Sequence, residues 1–292
     1  MRYYILSAVV LFFCACSKEV IPPGVPSGFI QVKGSDTIVN AAQMLAEKFM
    51  ADYPYVYVAV TGGGSGVGIA ALLNKTCDIA DSSRDIKPKE IEMAHKVGVD
   101  PKEHIVAFDG VALIVNKKNP LDKLTIRQLH DIYTGKIKNW QELGGSNLPI
   151  VAISREVSSG THVYFKEEVV QLSDKKNKDE FDSKVLLFSS SQAIVEEVAQ
   201  NASAIGYLGM GYLNDKTKAL SLSKDGKDYC FPNIKNVLDK KYPLSRSLLM
   251  YTNGEATGIN KLFIDFVFSS KGQEQFKEAG FVPLKSDVAQ AN

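Results

Sequence analysis

Apolar positions along this chain alternate between two periods. Residues 29–33 are rich in β-branched and aromatic side chains and predict a strand. Immediately afterwards Ala42, Leu45, Ala46 and Phe49 recur at helical spacing over residues 40–52. The alternation continues with strands predicted over 55–60 and 78–80, helices over 69–74 and 90–97, and Pro88 near the first turn of the latter. A long apolar strand is predicted over 105–115, then a helix over 125–133 whose opening Thr125-Ile126-Arg127-Gln128 matches a capping box. Beyond it the pattern gives a strand over 150–154, a helix over 161–170, a solvated lysine-rich loop over 174–179 and a helix over 194–200. Strands over 204–208 and 247–251 and helices over 260–268 and 271–279 complete it. Strand–helix alternation of this kind implies an α/β protein with largely parallel sheets. No internal repeat or low-complexity tract interrupts it.

The first residues do not share this rhythm. Arg2 precedes an apolar run over residues 3–13, shorter than the roughly 20 residues a membrane-spanning helix needs, and the pattern is that of a signal peptide. The run ends in Phe13-Cys14-Ala15-Cys16-Ser17, which resembles a bacterial lipobox. By that resemblance residues 1–15 are a signal peptide and Cys16 is the lipidated first residue of the mature chain, with Cys14 disfavoured by the Phe13 before it. Residues 16–28 hold Pro22, Pro23, Pro26, Gly24 and Gly28 and read as an extended tether. Cys77 and Cys230 remain in the folded body; export permits a disulfide, but two cysteines make no framework and free thiols are expected.

Charge narrows the partner class. The 292 residues carry 34 basic and 33 acidic side chains, a net charge of +1, which lacks the basic excess of a nucleic-acid binder. An anionic small ligand stays compatible with this balance, because oriented backbone N–H groups can hold one.

The candidate chemistry concentrates at three predicted strand-to-helix junctions: Gly34-Ser35-Asp36-Thr37, Thr61-Gly62-Gly63-Gly64-Ser65-Gly66-Val67-Gly68, and Arg155-Glu156-Val157-Ser158-Ser159-Gly160-Thr161. Each combines free N–H groups at a helix start, hydroxyl donors and glycines that admit close approach. Three converging copies could surround a tetrahedral anion, and the Arg155 fork could grip two of its oxygens. The second junction is not a P-loop, since no Lys-Ser/Thr pair follows its glycines. It also misses the dinucleotide fingerprint, and Val67 stands where a Gly-x-Ser-x-Gly elbow around Ser65 would need glycine. A phosphatase or serine hydrolase using Ser65 or Ser159 would need a positioned base, and only His162 lies near Ser159 in sequence. His95, His104, His130 and His162 are scattered without metal-ligand spacing and read as surface or loop residues; no metal or cofactor is expected.

From Gly34 to Leu284 the chain resembles the phosphate-binding lipoproteins of bacterial high-affinity phosphate ABC importers. The resemblance rests on Arg155 with Ser159-Gly160-Thr161, and on Leu124-Thr125 through Gln128-Leu129, Ile132-Tyr133, Gly135, Ile137 and Asn139-Trp140. It rests also on Asp78-Ile79-Ala80-Asp81-Ser82-Ser83-Arg84, Asp109-Gly110-Val111-Ala112 and Tyr242-Pro243-Leu244-Ser245-Arg246. It implies a two-lobed periplasmic-binding-protein fold (type II), with two mostly parallel sheets flanked by helices and joined by two hinge strands. The crossings are expected near residues 107–111 and 244–248, with lobe one over 29–109 plus 248–292 and lobe two over 110–247. The resemblance further implies that Thr37, Ile38 (through its N–H), Ser65 and Ser83 bind phosphate from lobe one, and Arg155, Ser159, Gly160 and Thr161 from lobe two. Ser35, Arg84 and Asp109 are additional candidates.

Ser83 departs from better-known members, which carry an aspartate there to accept the phosphate proton. Asp36, Asp81 and Asp109 are possible substitute acceptors, and Arg84 either adds a second cation or pairs with Asp81 or Asp85. The implied protein is a monomeric, non-enzymatic receptor, anchored to a membrane by lipid alone, that delivers inorganic phosphate to the permease subunits of an ABC importer. A less selective oxyanion receptor and a surface adhesin or sensor are the alternatives.

Overall fold

The computed structural model describes residues 21–284; the signal segment, Cys16 and the last eight residues lie outside them. The chain enters through a Pro22–Val25 turn, with no regular element until β1 (Gly28–Gly34). It then alternates through α1 (Val39–Asp52), β2 (Val56–Thr61), α2 (Ser65–Leu73), β3 (Ile79–Ser82) and α3 (Pro88–Lys96) into the long strand β4 (Pro101–Val115). The next stretch holds β5 (Lys123–Thr125), α4 (Ile126–Tyr133), β6 (Val151–Arg155), and α5 (Gly160–Phe165), which runs on as a π turn over Lys166–Val170. After these come β7 (Leu186–Phe188), α6 (Ser191–Gln200), β8 (Ala204–Gly209), β9 (Lys218–Ala219), β10 (Ser221–Ser223) and α7 (Ile234–Leu238). The chain returns along β11 (Ser245–Asn253) and ends in α8 (Gly258–Phe268), α9 (Ser270–Glu278) and β12 (Val282–Pro283).

The strands lie in the order β2-β1-β3-β11-β4-β8-β6-β7. β1 runs parallel to β2 and β3, and β6 runs parallel to β7 and β8. Between these two parallel groups, β4 and β11 run antiparallel to their neighbours and to each other. β4 pairs with β11 from Pro101 to Gly110, then with β8 from Val111 onward, so one strand serves both groups and changes partner at Gly110. The expectation of mostly parallel sheets therefore holds for the outer strands, while the linking strands make the whole mixed.

Each group has helices on both faces and its own cores. In lobe one, Ala41, Ala42, Leu45, Ala46 and Phe49 form the buried stripe of α1, and Phe49 meets Phe263 of α8 edge-on at 5.1 Å between ring centres. In lobe two, Phe165 stacks on Tyr207 within a core that also holds Trp140, whose Nε1 donates to Ser203 O at 3.0 Å. Residues 111–115 of β4 are buried on both faces, which explains the uninterrupted apolar run of that strand. The capping box at Thr125 forms as its sequence predicts: Thr125 Oγ1 accepts from Gln128 N and Gln128 Oε1 accepts from Thr125 N.

The structure corrects several local expectations. α2 starts at Ser65 rather than residue 69, so the glycine-rich junction runs directly into helix; Gly68 permits this because a Cβ there would strike Lys33 O and the Gly34 Cα. The short elements β5, β7, β9, β10, β12 and α7 carry too little periodic signal to be read. His104, His130 and His162 are buried, against the expectation of surface positions. His104 pairs with Thr252, His130 with the Val170 carbonyl, and His162 with Ser154, so each polar ring is satisfied inside the fold. Cys77 and Cys230 are free, and burial pushes the Cys77 thiol up to about 12, away from the thiolate form. Among the described residues no helix is long and apolar enough to cross a membrane.

Candidate functional site

The three hydroxyl-rich junctions converge. The β1–α1 and β2–α2 turns join through Gly64 N donating to Gly34 O at 2.8 Å. The β2–α2 turn meets the β6–α5 turn of the other lobe through Gly66 N to Ser158 O at 2.9 Å and Ser158 Oγ to Gly63 O at 3.4 Å. The first and third turns meet through the Thr37 and Thr161 hydroxyls, 2.8 Å apart and buried. Ser65 Oγ accepts from Ser83 N at 3.0 Å and lies 3.4 Å from Ser83 Oγ. Gly160 faces that pair so closely that a Cβ would fall 2.7 Å from Ser83 Oγ and nearer still to Ser65 Oγ. Thr37, Ser65, Ser83, Gly160 and Thr161 thus form one cluster spanning both lobes.

Two buried arginines adjoin it. Arg246, from β11, directs Nη2 at Thr161 Oγ1 (3.1 Å) and Thr37 Oγ1 (3.4 Å), while Nη1 donates to Ser83 O at 3.0 Å. Its charge is balanced by Asp109 of β4, whose Oδ2 lies 2.7 Å from Nη2 and whose Oδ1 accepts from Met210 N. Burial pushes the Asp109 carboxyl up, and Arg246 and the N–H donors hold it back. Arg155, fully buried, donates to Phe188 O, Ser189 O and Ser191 Oγ and lies 3.1 Å from Asp36 Oδ2 across the cleft. Burial lowers its pKa and Asp36 opposes that most strongly. The two-oxygen grip expected of Arg155 is therefore largely committed to protein partners. A cavity of about 730 Å³ opens beside Arg246, lined by Arg84 and Lys87 from one lobe and Tyr164 and Glu167 from the other.

The remaining candidates occupy supporting positions. Ser159 caps α5, its Oγ accepting from Thr161 N at 3.2 Å and His162 N at 3.5 Å. Ser35 is buried, with its N–H on Asp81 O, and Ile38 N donates to Ser35 O at 3.2 Å. Arg84 pairs bidentately with Glu90 (2.7 and 2.8 Å) rather than with the Asp81 or Asp85 carboxylate, and its Nε is buried without a partner. Of the substitute acceptors, Asp36 and Asp109 are each tied to an arginine. Asp81 is buried, its Oδ1 has no partner, and burial alone pushes its carboxyl up to about 7.

In sequence Arg246 stands out only as part of a family hallmark; its signal is the lone charge, between two serines, at the start of the strand run 245–251. His162 Nδ1 meets Ser154 Oγ, which also meets the Tyr207 hydroxyl, so this nitrogen is engaged within lobe two rather than with Ser159. Among the described residues no cluster of His, Cys, Asp or Glu could hold a metal ion. Paired hydroxyls beside two neutralised cations make an arrangement whose chemistry suits a small oxyanion held by hydrogen bonds.

This architecture and site define a two-lobed binding protein, and residues 22–271 match the model of the PBP superfamily domain. Within that class the chain belongs to the family of the phosphate-binding protein PstS. It is 32% identical to the Pseudomonas aeruginosa PstS over 94% of this chain and 92% of that one. Among solved structures, a Clostridium perfringens protein described as a phosphate ABC transporter substrate-binding protein with bound phosphate aligns with a TM-score of 0.79. It is 34% identical and covers 88% of this chain and 100% of its own. A Vibrio cholerae ABC-type phosphate transport receptor aligns with a TM-score of 0.70 at 31% identity, over 87% of this chain and 100% of its own.

Proposed function

We propose that this protein is an extracytoplasmic receptor that closes its two lobes on inorganic phosphate and hands it to an ABC importer. The observation that carries this reading is the meeting of Thr37 from one lobe with Thr161 from the other under the Arg246 guanidinium. A ligand drives closure only by binding the closed form better, and an anion bridging hydroxyls of both lobes does that. In this reading Thr37, Ser65 and Ser83 hold phosphate from lobe one, joined by the Ile38 N–H once it exchanges its bond to Ser35 O for the anion, and Arg155, Ser159, Gly160 and Thr161 hold it from lobe two. Arg246 joins them from the crossing strand, and Arg84 offers its unpartnered Nε. The lobes divide as 29–109 plus 248–292 and 110–247. Residues 1–15 direct export, Cys16 carries the lipid, and the receptor works as a monomer, without turnover, at the importer's permease subunits.

Calorimetric titration with phosphate and then sulfate near neutral pH tests the reading. Tight 1:1 phosphate binding is expected, and silence with both anions would overturn it. A less selective tetrahedral-oxyanion receptor is the second reading. It is favoured by Ser83, a hydroxyl that repels a bare oxyanion weakly, and by the engagement of Asp36 and Asp109 with arginines. Comparable sulfate binding would establish it.

A further inference from the structure

Arg155 belongs to lobe two, yet the carboxylate that faces it comes from lobe one. Asp36 Oδ2 lies 3.1 Å from Arg155 Nη2 and accepts from Ser191 N at 2.9 Å, and the Asp36 carbonyl accepts from Tyr212 OH at 2.6 Å. Three partners on lobe two thus hold one residue on the β1–α1 turn, immediately before Thr37. Among the described residues the other partners of the guanidinium are uncharged: the Phe188 and Ser189 carbonyls and the Ser191 hydroxyl. The nearest acidic neighbour in sequence, Glu156, is exposed, and Val157 is 71% exposed.

We propose that Asp36 is a cross-lobe positioning residue: it engages Arg155 and the start of α6 as the lobes close, and so fixes the arginine for the anion and slows the anion's release. This rests on the phosphate-receptor reading and adds a residue to it that need not touch the ligand. The geometry leaves Nη1 of Arg155 with an N–H beyond its bond to Ser191, and that group is aimed by the three other contacts. Opening the lobes separates Asp36 from Arg155, Ser191 and Tyr212 together, so the latch exists only in the closed form. Because the carboxylate also offsets the Arg155 charge, removing it leaves the open site more cationic. Arrival and release of the anion should then respond in different ways: a buried charge contact governs mainly the off-rate, and net site charge governs the salt-dependent on-rate.

The test compares the wild-type full chain with Asp36→Asn and Asp36→Ala, measuring the uptake and release rates of radiolabelled phosphate at several salt concentrations. Asp36→Asn keeps an oxygen for Ser191 N and removes only the charge, so it preserves the fold if Asp36→Ala does not. Release faster by about 10- to 100-fold is expected, with uptake unchanged or faster at low salt. A purely structural role would instead lower the melting temperature and leave release by the folded fraction unchanged. Release within twofold of wild type in the asparagine variant would overturn the proposal. A wild-type chain that fails to bind phosphate in calorimetry would overturn the receptor reading and this inference with it. Wild-type binding with unaltered variant release would overturn the role of Asp36 alone.

Discussion

Arg246 and Asp109 stand opposite each other in the register of β11 and β4, and their side chains share a buried ion pair of 2.7 Å at the point where the two strands pass between the lobes. The same guanidinium reaches Thr37 of lobe one and Thr161 of lobe two. One pair thereby ties the hinge to both walls of the site. Burial makes such a pair costly to break, because each partner left alone is a charge without water.

Replacing Asp109 by Leu should therefore lower unfolding free energy by about 3–5 kcal/mol, and Arg246→Met alone should act similarly. The double variant, which leaves neither charge behind, should recover much of that loss. Urea unfolding of the three variants checks this. Additive losses in the double variant would show that the two side chains do not act as a pair.

Gly160 supplies a steric prediction. A methyl there would collide with Ser65 Oγ and Ser83 Oγ, both on the opposite lobe and both buried. Gly160→Ala should leave each lobe folded, since the obstacle lies only between them, and should weaken phosphate binding by at least tenfold, about 1.4 kcal/mol. Calorimetry beside a thermal melt decides: unchanged affinity would mean that the lobes close less tightly than the structure has them.

How much of this was legible in sequence depends on the range over which each feature is determined. Local signals were read correctly: the Thr125–Gln128 capping box and the Phe49 stripe of α1 are set by residues within two helical turns. The three hydroxyl-rich junctions stand out as candidate anion chemistry because Ser, Thr and Gly before a helix have local meaning, and the structure brings them together. The commitments of Arg155 to Phe188, Ser189 and Asp36 do not stand out, because those partners lie 33, 34 and 119 positions away in sequence and reach it only through the parallel β6–β7 pairing and lobe closure. The contacts of Arg246 with Thr37, Thr161 and Asp109 are hidden for the same reason, since a charge in a strand acquires its partners from the neighbouring strand and the other lobe. The burial of His130 and His162 is not legible in sequence, because spacing cannot show that a ring nitrogen will find Val170 O or Ser154 Oγ.

Asp81 predicts a pH dependence of stability. Burial raises its folded-state pKa from 3.8 to about 7. Between those values the unfolded chain has lost the proton and the folded chain retains it. The Asp81 contribution is thus fully present below pH 3.8, declines as pH rises, by up to about 1.4 kcal/mol per pH unit, and is lost above pH 7. Asp81→Asn should remove this slope and be more stable than wild type at pH 8. Urea unfolding at pH 5, 6, 7 and 8 would expose the difference; parallel curves would mean that the carboxyl is ionised throughout.

Ser83 predicts how selectivity could be changed. Phosphate near neutral pH carries a proton that needs an acceptor, whereas sulfate offers only lone pairs. Ser83 Oγ lies 3.4 Å from Ser65 Oγ in the hydroxyl cluster, and a hydroxyl can turn to donate or accept, so it distinguishes the two anions weakly. A carboxylate at this position would face the bare oxygen of sulfate with a second negative charge, yet would accept the phosphate proton. Ser83→Asp should therefore weaken sulfate binding relative to phosphate by about 100-fold or more, within the range by which a mispaired buried polar group discriminates between ligands. Arg246, which already donates to the Ser83 carbonyl, provides a nearby cation that limits the cost of the added charge. Competition titrations of both anions against wild type and variant give the ratio directly. If both anions weaken equally, Ser83 does not face the ligand's protonated oxygen, and its assignment to the site is wrong.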